Sequence, residues 1–168
     1  MRSQATSDVM PARMMDRLVR QAVPGRRGMK AWESLLRAHA TLVRRLEVEI
    51  AEETGLTLGD FDVLAQLANA GGQLRMTELA DRAYSSRSGL TRRIDRLETE
   101  GLVRRGGAVG DGRGVAVSLT EAGLNRLQEV TPVHLRGVAK YFLARLDDRE
   151  LAALERTLNK VIVDCQFG

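Results

Sequence analysis

The stretch SRSGLTRRIDRLETEGLV, residues 86–103, decides how the rest of the chain is read. Ser86 is a strong helix N-cap and Gly101 a strong stop, so the spacing predicts one helix to about Glu100. At about 100° per residue, Leu90, Ile94 and Leu97 fall in one narrow sector that must face a core. Ser88, Arg92, Asp95, Arg96 and Thr99 fall opposite, with Arg87 and Thr91 on the flanks. The outer face therefore carries donors suited to phosphate oxygens and purine edges. An ordinary surface helix with solvated arginines looks the same in isolation, so the neighbouring segments carry the decision.

Upstream, Thr77 to Ala83 reads as a short helix with Leu79 and Ala80 inward, and Tyr84-Ser85 is a tight link to Ser86. Two helices joined by so short a turn match a helix-turn-helix, whose second helix must be two-sided to read a major groove. Downstream, Leu102 to Arg105 reads as a short strand. Residues 106–114 contain five glycines and are expected to be irregular. Val115, Val117 and Leu119 alternate with Ala116 and Ser118, a second strand. The pair forms a β-hairpin whose flexible tip presents Arg113, a guanidinium suited to a narrow minor groove. Asp95 and Asp111 would repel DNA if they faced it, so each is expected to orient a nearby arginine or, for Asp111, a tip N–H.

Working outward, Trp32, Leu35, Leu36, His39, Leu42, Val43, Leu46 and Ile50 recur at helical spacing and predict a long helix from Lys30 to about Glu53. Thr57 with Asp60 caps a helix carrying Phe61, Val63, Leu64 and Leu67, which stops at Gly71-Gly72. Thr120 caps a helix expected to reach about Leu146, with a bend at Pro132 weighed as an option. Asp147 with Glu150 opens a last helix to about Cys165. Residues 1–29 read as a basic extension, either a short helix after Pro11 closed by Pro24-Gly25 or an unstructured arm.

The expected fold is mostly α with a small β-hairpin wing, a winged helix-turn-helix on a helical dimerisation region. Residues 57–119 form the winged module; 30–56 and 120–168 form the helical region. Helices at 30–53 and 120–165 carry more apolar surface than one winged module covers, which points to association with a second copy about a two-fold axis.

Composition narrows the classes. Apolar residues make up 43% and aromatics 4%, a balance that suits a helical core built from Leu, Val, Ala and Met. Net charge is +4, but residues 30–81 carry −4 and residues 82–113 carry +4, a basic island where phosphate contact is expected. No apolar run approaches the roughly 18 residues of a membrane span. Cys165 is the sole cysteine, so no intrachain disulfide forms, and a cytoplasmic location is the expectation. His39, His134 and Cys165 offer no metal-ligand pair at helical spacing. No nucleophile elbow or strand-to-helix phosphate loop is present, so neither catalysis nor a cofactor is expected. Cys165 as a redox switch finds no basic neighbour and no resolving thiol.

Taken together, Leu79-Ala80, Ser86-Arg87-Ser88-Gly89-Leu90-Thr91-Arg92 and Asp95-x-Leu97-x-x-x-Gly101-Leu102-Val103 resemble the MarR family of multiple antibiotic resistance regulators. So does Asp111-x-Arg113 followed by Leu119-Thr120-x-Ala122-Gly123. The resemblance spans about residues 30–165; where many members carry a second Arg after the wing Arg, this chain has Gly114. It implies a homodimeric, sequence-specific regulator of double-stranded DNA, more often a repressor, straddling a pseudo-palindromic site. On that reading Ser88, Thr91 and Arg92 meet bases, Ser86, Arg87 and Arg96 meet phosphates, and Arg113 enters the minor groove. The resemblance also implies a small aromatic or anionic effector, for which Trp32, His39 and His134 are the candidate polar rings on apolar stripes; a core Trp and bonded histidines are the plainer reading. The alternative from another class is a helical protein-interaction dimer whose winged module has lost DNA.

Overall fold

Each element begins and ends where its terminal residues dictate. In a computed structural model the described residues are 14, 17–18, 26–83, 87–107 and 114–166, with the backbone alone described for Arg26, Arg87 and 164–166. The chain divides into a unit of residues 1–42 and a unit of residues 43–168. Helix α1 (Arg26–Thr54) starts four residues before the expected Lys30, so the proposed extension already turns helical at its end. Pro24, Gly25 and nearly all of the expected N-terminal helix lie outside the described residues.

Helix α2 (Leu58–Asn69) opens with a full capping box: the Thr57 hydroxyl accepts from the Asp60 N–H, and the Asp60 carboxylate accepts from the Thr57 N–H. Glu47 of α1 accepts the Leu58 N–H at 2.8 Å, satisfying another donor of the first turn. Strand β1 (Gln73–Arg75) leads into helix α3 (Met76–Arg82), and helix α4 (Arg87–Thr99) follows. The sector assigned to the core is fully buried: Leu90, Ile94 and Leu97 are each 0% exposed. Burial of that kind stabilises by about 2 kcal/mol per side chain. Gly101 ends α4 with φ of 73°, while its N–H reaches the Glu98 carbonyl and the Leu102 N–H reaches that of Leu97.

Strands β2 (Val103–Gly107) and β3 (Val115–Leu119) form the wing, and β1 adds to the other side of β3 in an antiparallel sheet ordered β1-β3-β2. Two expectations change here. The hairpin is part of a three-stranded sheet, because Gln73, Leu74 and Arg75 pair with Ser118, Val117 and Ala116. Gly106 and Gly107, expected to be irregular, pair with Ala116 and Val115. Glycine keeps both backbone hydrogen-bonding groups, so a ladder already set by Val103 and Arg105 extends through it. Residues 108–113 of the wing tip lie outside the described residues.

Helix α5 (Glu121–Tyr141) is capped by the Thr120 hydroxyl, which accepts the Gly123 N–H at 3.0 Å. Pro132 sits inside α5 without ending it, yet the helix stops at Tyr141, short of the expected Leu146, and a 3-10 turn (Leu143–Arg145) follows. Helix α6 (Asp148–Gln166) opens with the expected reciprocal bonds between Asp147 and Glu150. α2 packs on α5 and on α4, and Ile50, Leu64, Leu67, Val130 and Val133 share one core with Leu90, Ile94 and Leu97 of α4. The result is mostly helical with one small sheet, a winged helix-turn-helix.

Candidate nucleic-acid interface

Helix α4 turns an exposed face outward that includes Ser88, Thr91 and Arg92. Arg87 is the first residue of the helix, but its side chain, like all of Ser86 and Arg113, lies outside the described residues. Arg96, grouped with the outward arginines from the sequence, has an inward partner. Its guanidinium pairs with Asp60 of α2, although 47% of the side chain remains exposed.

Asp60 is the hub of that contact. It is 1% exposed, and one carboxylate oxygen accepts from both the Thr57 N–H (3.0 Å) and the Thr57 hydroxyl (2.6 Å). The other oxygen faces Arg96 and lies 3.3 Å from Nε of Arg93. That Arg93 contact is an ion pair without hydrogen-bond alignment, since the buried Nε has no hydrogen-bond partner among the described residues. Gly59 makes room for it: a Cβ there would collide with the Arg93 guanidinium. Burial alone would raise the Asp60 pKa, but the bonds from Arg96 and Thr57 outweigh it and hold the carboxyl below its ordinary value.

A second hub joins α4 to the wing. Arg105 of β2 donates its backbone N–H to Glu98 at 2.8 Å and its Nη1 to the same carboxylate at 2.7 Å. Its Nη2 reaches Asp95 at 2.5 Å and the Thr91 carbonyl at 3.4 Å. Asp95 was expected to orient an arginine, and Arg105 is the arginine. The Arg105 backbone N–H, more than any other group, holds the Glu98 carboxyl below its usual range; burial opposes it, and the Arg105 guanidinium adds to the lowering. Beside this hub an open cleft of about 520 Å³ lies between the start of α3, α4 and the wing root, lined by Arg75, Met76, Thr77, Thr91, Arg105, Gly114 and Val115.

Sequence reasoning gave Asp60 a capping role alone and gave Arg105 none. The missed signal was the coincidence of acids at 95 and 98, one helical turn apart, with an arginine just after the helix stop.

The effector candidates are more scattered. Trp32 is 52% exposed and His39 is exposed, both in the 1–42 unit. His134, in the other unit, stacks against Phe61 with ring centroids 4.5 Å apart, and its buried Nδ1 has no hydrogen-bond partner among the described residues. Burial lowers the His134 pKa, with the charge of Asp62 opposing it. The backbone of α6 includes Cys165, whose side chain is not described. Among the described residues no helix is long and apolar enough to cross a membrane, and no group of three His, Cys, Asp or Glu could hold a metal ion.

A family model described as the MarR family matches residues 54–114. The chain is 31% identical over 110 residues to the HTH-type transcriptional repressor MdtR of Bacillus subtilis (strain 168), covering 66% of this chain and 70% of that protein. It resembles the crystal structure of AbsC, a MarR family transcriptional regulator from Streptomyces coelicolor, with a TM-score of 0.77 at 30% identity, over 87% of this chain and 99% of that one. Sco3205, a MarR family transcriptional regulator from the same organism in complex with DNA, gives a TM-score of 0.76 at 29% identity, over 83% and 88% of the two chains.

Proposed function

The chain belongs to the MarR family of transcriptional regulators, and from that premise we propose that it is a ligand-responsive repressor binding a pseudo-palindromic operator as a homodimer. The observation that carries the DNA-binding part is α4, whose Ser88, Thr91 and Arg92 stay exposed while its own acids and inner arginines tie it to α2 and to the wing. A reading helix fixed on two sides offers bases a defined register. Ser88, Thr91 and Arg92 are assigned to base edges, Ser86 and Arg87 to phosphates, and Arg113 to the minor groove. Arg96 remains a phosphate candidate through its exposed portion while its guanidinium serves Asp60.

Exposed apolar side chains support the homodimer. Leu135, Val161, Ile162 and Val163 are each more than half exposed, an association surface if left to a single copy. Residues 30–56 and 120–168 are accordingly the proposed dimerisation region, 57–119 the DNA-binding module and 1–29 an extension. Repression finds support in MdtR, a repressor by name. His134, with a buried nitrogen that has no hydrogen-bond partner among the described residues and an aromatic neighbour in Phe61, is the best placed effector candidate; Trp32 and His39 are proposed from their place in the sequence. A cytoplasmic location follows from the work of a regulator.

Selection of bound fragments from random duplex DNA tests the reading. Enrichment of an inverted repeat with half-sites about one helical turn apart is expected. Enrichment of nothing at low salt overturns it and leaves the protein-interaction dimer as the result.

A further inference from the structure

We propose that Arg105 is a positioning residue rather than a DNA contact: it fastens the wing to the reading helix and fixes the angle at which both meet the duplex. The proposal rests on the DNA-binding reading above. Thr91, Asp95 and Glu98 stand four and three residues apart, so they share one stripe of α4 two turns long. One planar guanidinium spans that stripe, reaching Glu98 at 2.7 Å, Asp95 at 2.5 Å and the Thr91 carbonyl at 3.4 Å. Arginine suits this because its donors are fixed in a fork and it does not deprotonate.

The position in the strand matters as much as the contacts. Arg105 pairs with Val117 at the middle of β2, just before Gly106 and Gly107. It is the last side chain on β2 before the glycine-rich tip, so whatever angle it sets is passed to the remainder of the wing. Its charge is already matched by two carboxylates, and its side chain is only 27% exposed. It therefore brings little net attraction to a phosphate.

The acids supply the distinguishing consequence. Asp95 is 57% exposed on the outer side of α4. If it acted only as a negative charge near DNA, removing it would strengthen binding. If it anchors Arg105, removing it loosens the wing and weakens binding to a site that needs both helix and wing.

The test uses the full chain, its Asp95→Asn and Arg105→Gln variants, a duplex enriched by the wild type from a random library, and an unselected duplex of equal length. Amide hydrogen exchange over 103–107 and 115–119 is followed without DNA. Both variants are expected to speed exchange in those strands and to lose about fivefold in affinity for the enriched duplex, the scale of one or two partly exposed ion pairs. Affinity for the unselected duplex and the slope of log K against log salt should stay at wild-type values. Asp95→Asn binding as tightly as wild type, or tighter, overturns the proposal. So does Arg105→Gln flattening the salt slope by about one, the mark of a lost phosphate contact. Where Arg105→Gln fails to fold, the exposed Asp95→Asn decides. A wild type that enriches no duplex sinks the DNA-binding reading instead, and the exchange arm still judges the fastening.

Discussion

Asp60 of α2 and Arg96 of α4 form an ion pair in which the carboxylate is 1% exposed and the arginine side chain 47% exposed. The same carboxylate closes the N-terminal cap of α2 through Thr57. One buried acid thus fixes both the start of a core helix and the rotation of the helix assigned to DNA.

Replacing Asp60 with Ala should therefore cost about 3 kcal/mol, the lower end for breaking a buried pair because Arg96 keeps access to water. The loss includes the reciprocal arm of the capping box, the Thr57 N–H losing its acceptor, while the Thr57 hydroxyl still accepts the backbone N–H of residue 60. A denaturant titration of wild type and variant measures it as a lower midpoint at unchanged slope.

The sign of the pH dependence follows from the lowered Asp60 pKa. A carboxyl depressed in the folded state gives stability that is complete above its unfolded value of about 3.9 and is lost as pH falls through the folded value. The stability gap between wild type and Asp60→Asn should stay constant from about pH 7 to pH 5 and shrink below about pH 4. A gap that persists undiminished in acid would contradict the charged pairing. His134 acts at higher pH with the same sign. Its folded pKa lies below the ordinary 6.5, so the neutral ring is favoured, and wild type should lose stability relative to His134→Gln as pH falls below that value.

Arg92 and Arg96 should separate cleanly. Arg92→Ala is expected to leave the unfolding midpoint in place, to cost about 1–3 kcal/mol in binding a selected duplex and to relax its sequence choice. Arg96→Ala should lower the unfolding midpoint, because it strips Asp60 of a partner. Gel-shift and unfolding curves on both variants check the pair together.

Gly123 is a steric requirement of the junction between wing and scaffold. A Cβ there would run into the Leu102 carbonyl oxygen and meet Leu119 Cδ1 at 2.8 Å. Gly123→Ala should destabilise by about 2 kcal/mol despite alanine's better helix propensity. Gly137→Ala meets only the flexible ends of Leu46 and Glu49, at 2.7 and 2.9 Å, and should cost less. Thermal melts of the two variants rank them.

Much of this architecture was legible because the informative residues act locally. Thr and Asp caps, glycine stops and the Leu90, Ile94, Leu97 sector are set by neighbours within a turn, and they placed α2, α4, α6 and the wing strands within a few residues. β1 was not legible: three residues pairing with a strand more than forty positions away leave no period to detect. The end of α5 at Tyr141 escaped for a related reason, since no glycine or proline marks it. At the site, the outward face of α4 could be drawn on a helical wheel. Which arginines of that helix turn back could not, because Asp60 is thirty-six residues from Arg96 and comes near it only through packing.

The Gly101–Thr120 junction has a mechanical reading. The Thr120 hydroxyl reaches the carbonyls of Gly101 and Leu102 at 2.7 and 3.0 Å, and the Thr120 N–H reaches Leu102 at 3.1 Å. The root of α5 is thus pinned to the end of α4, as a crank is keyed to its shaft. α4 extends about 20 Å from that pin, so a swing of about 5° at α5 would carry Ser88 and its neighbours through nearly 2 Å if α4 moves as a rigid arm. A hydrogen bond to a base edge tolerates far less.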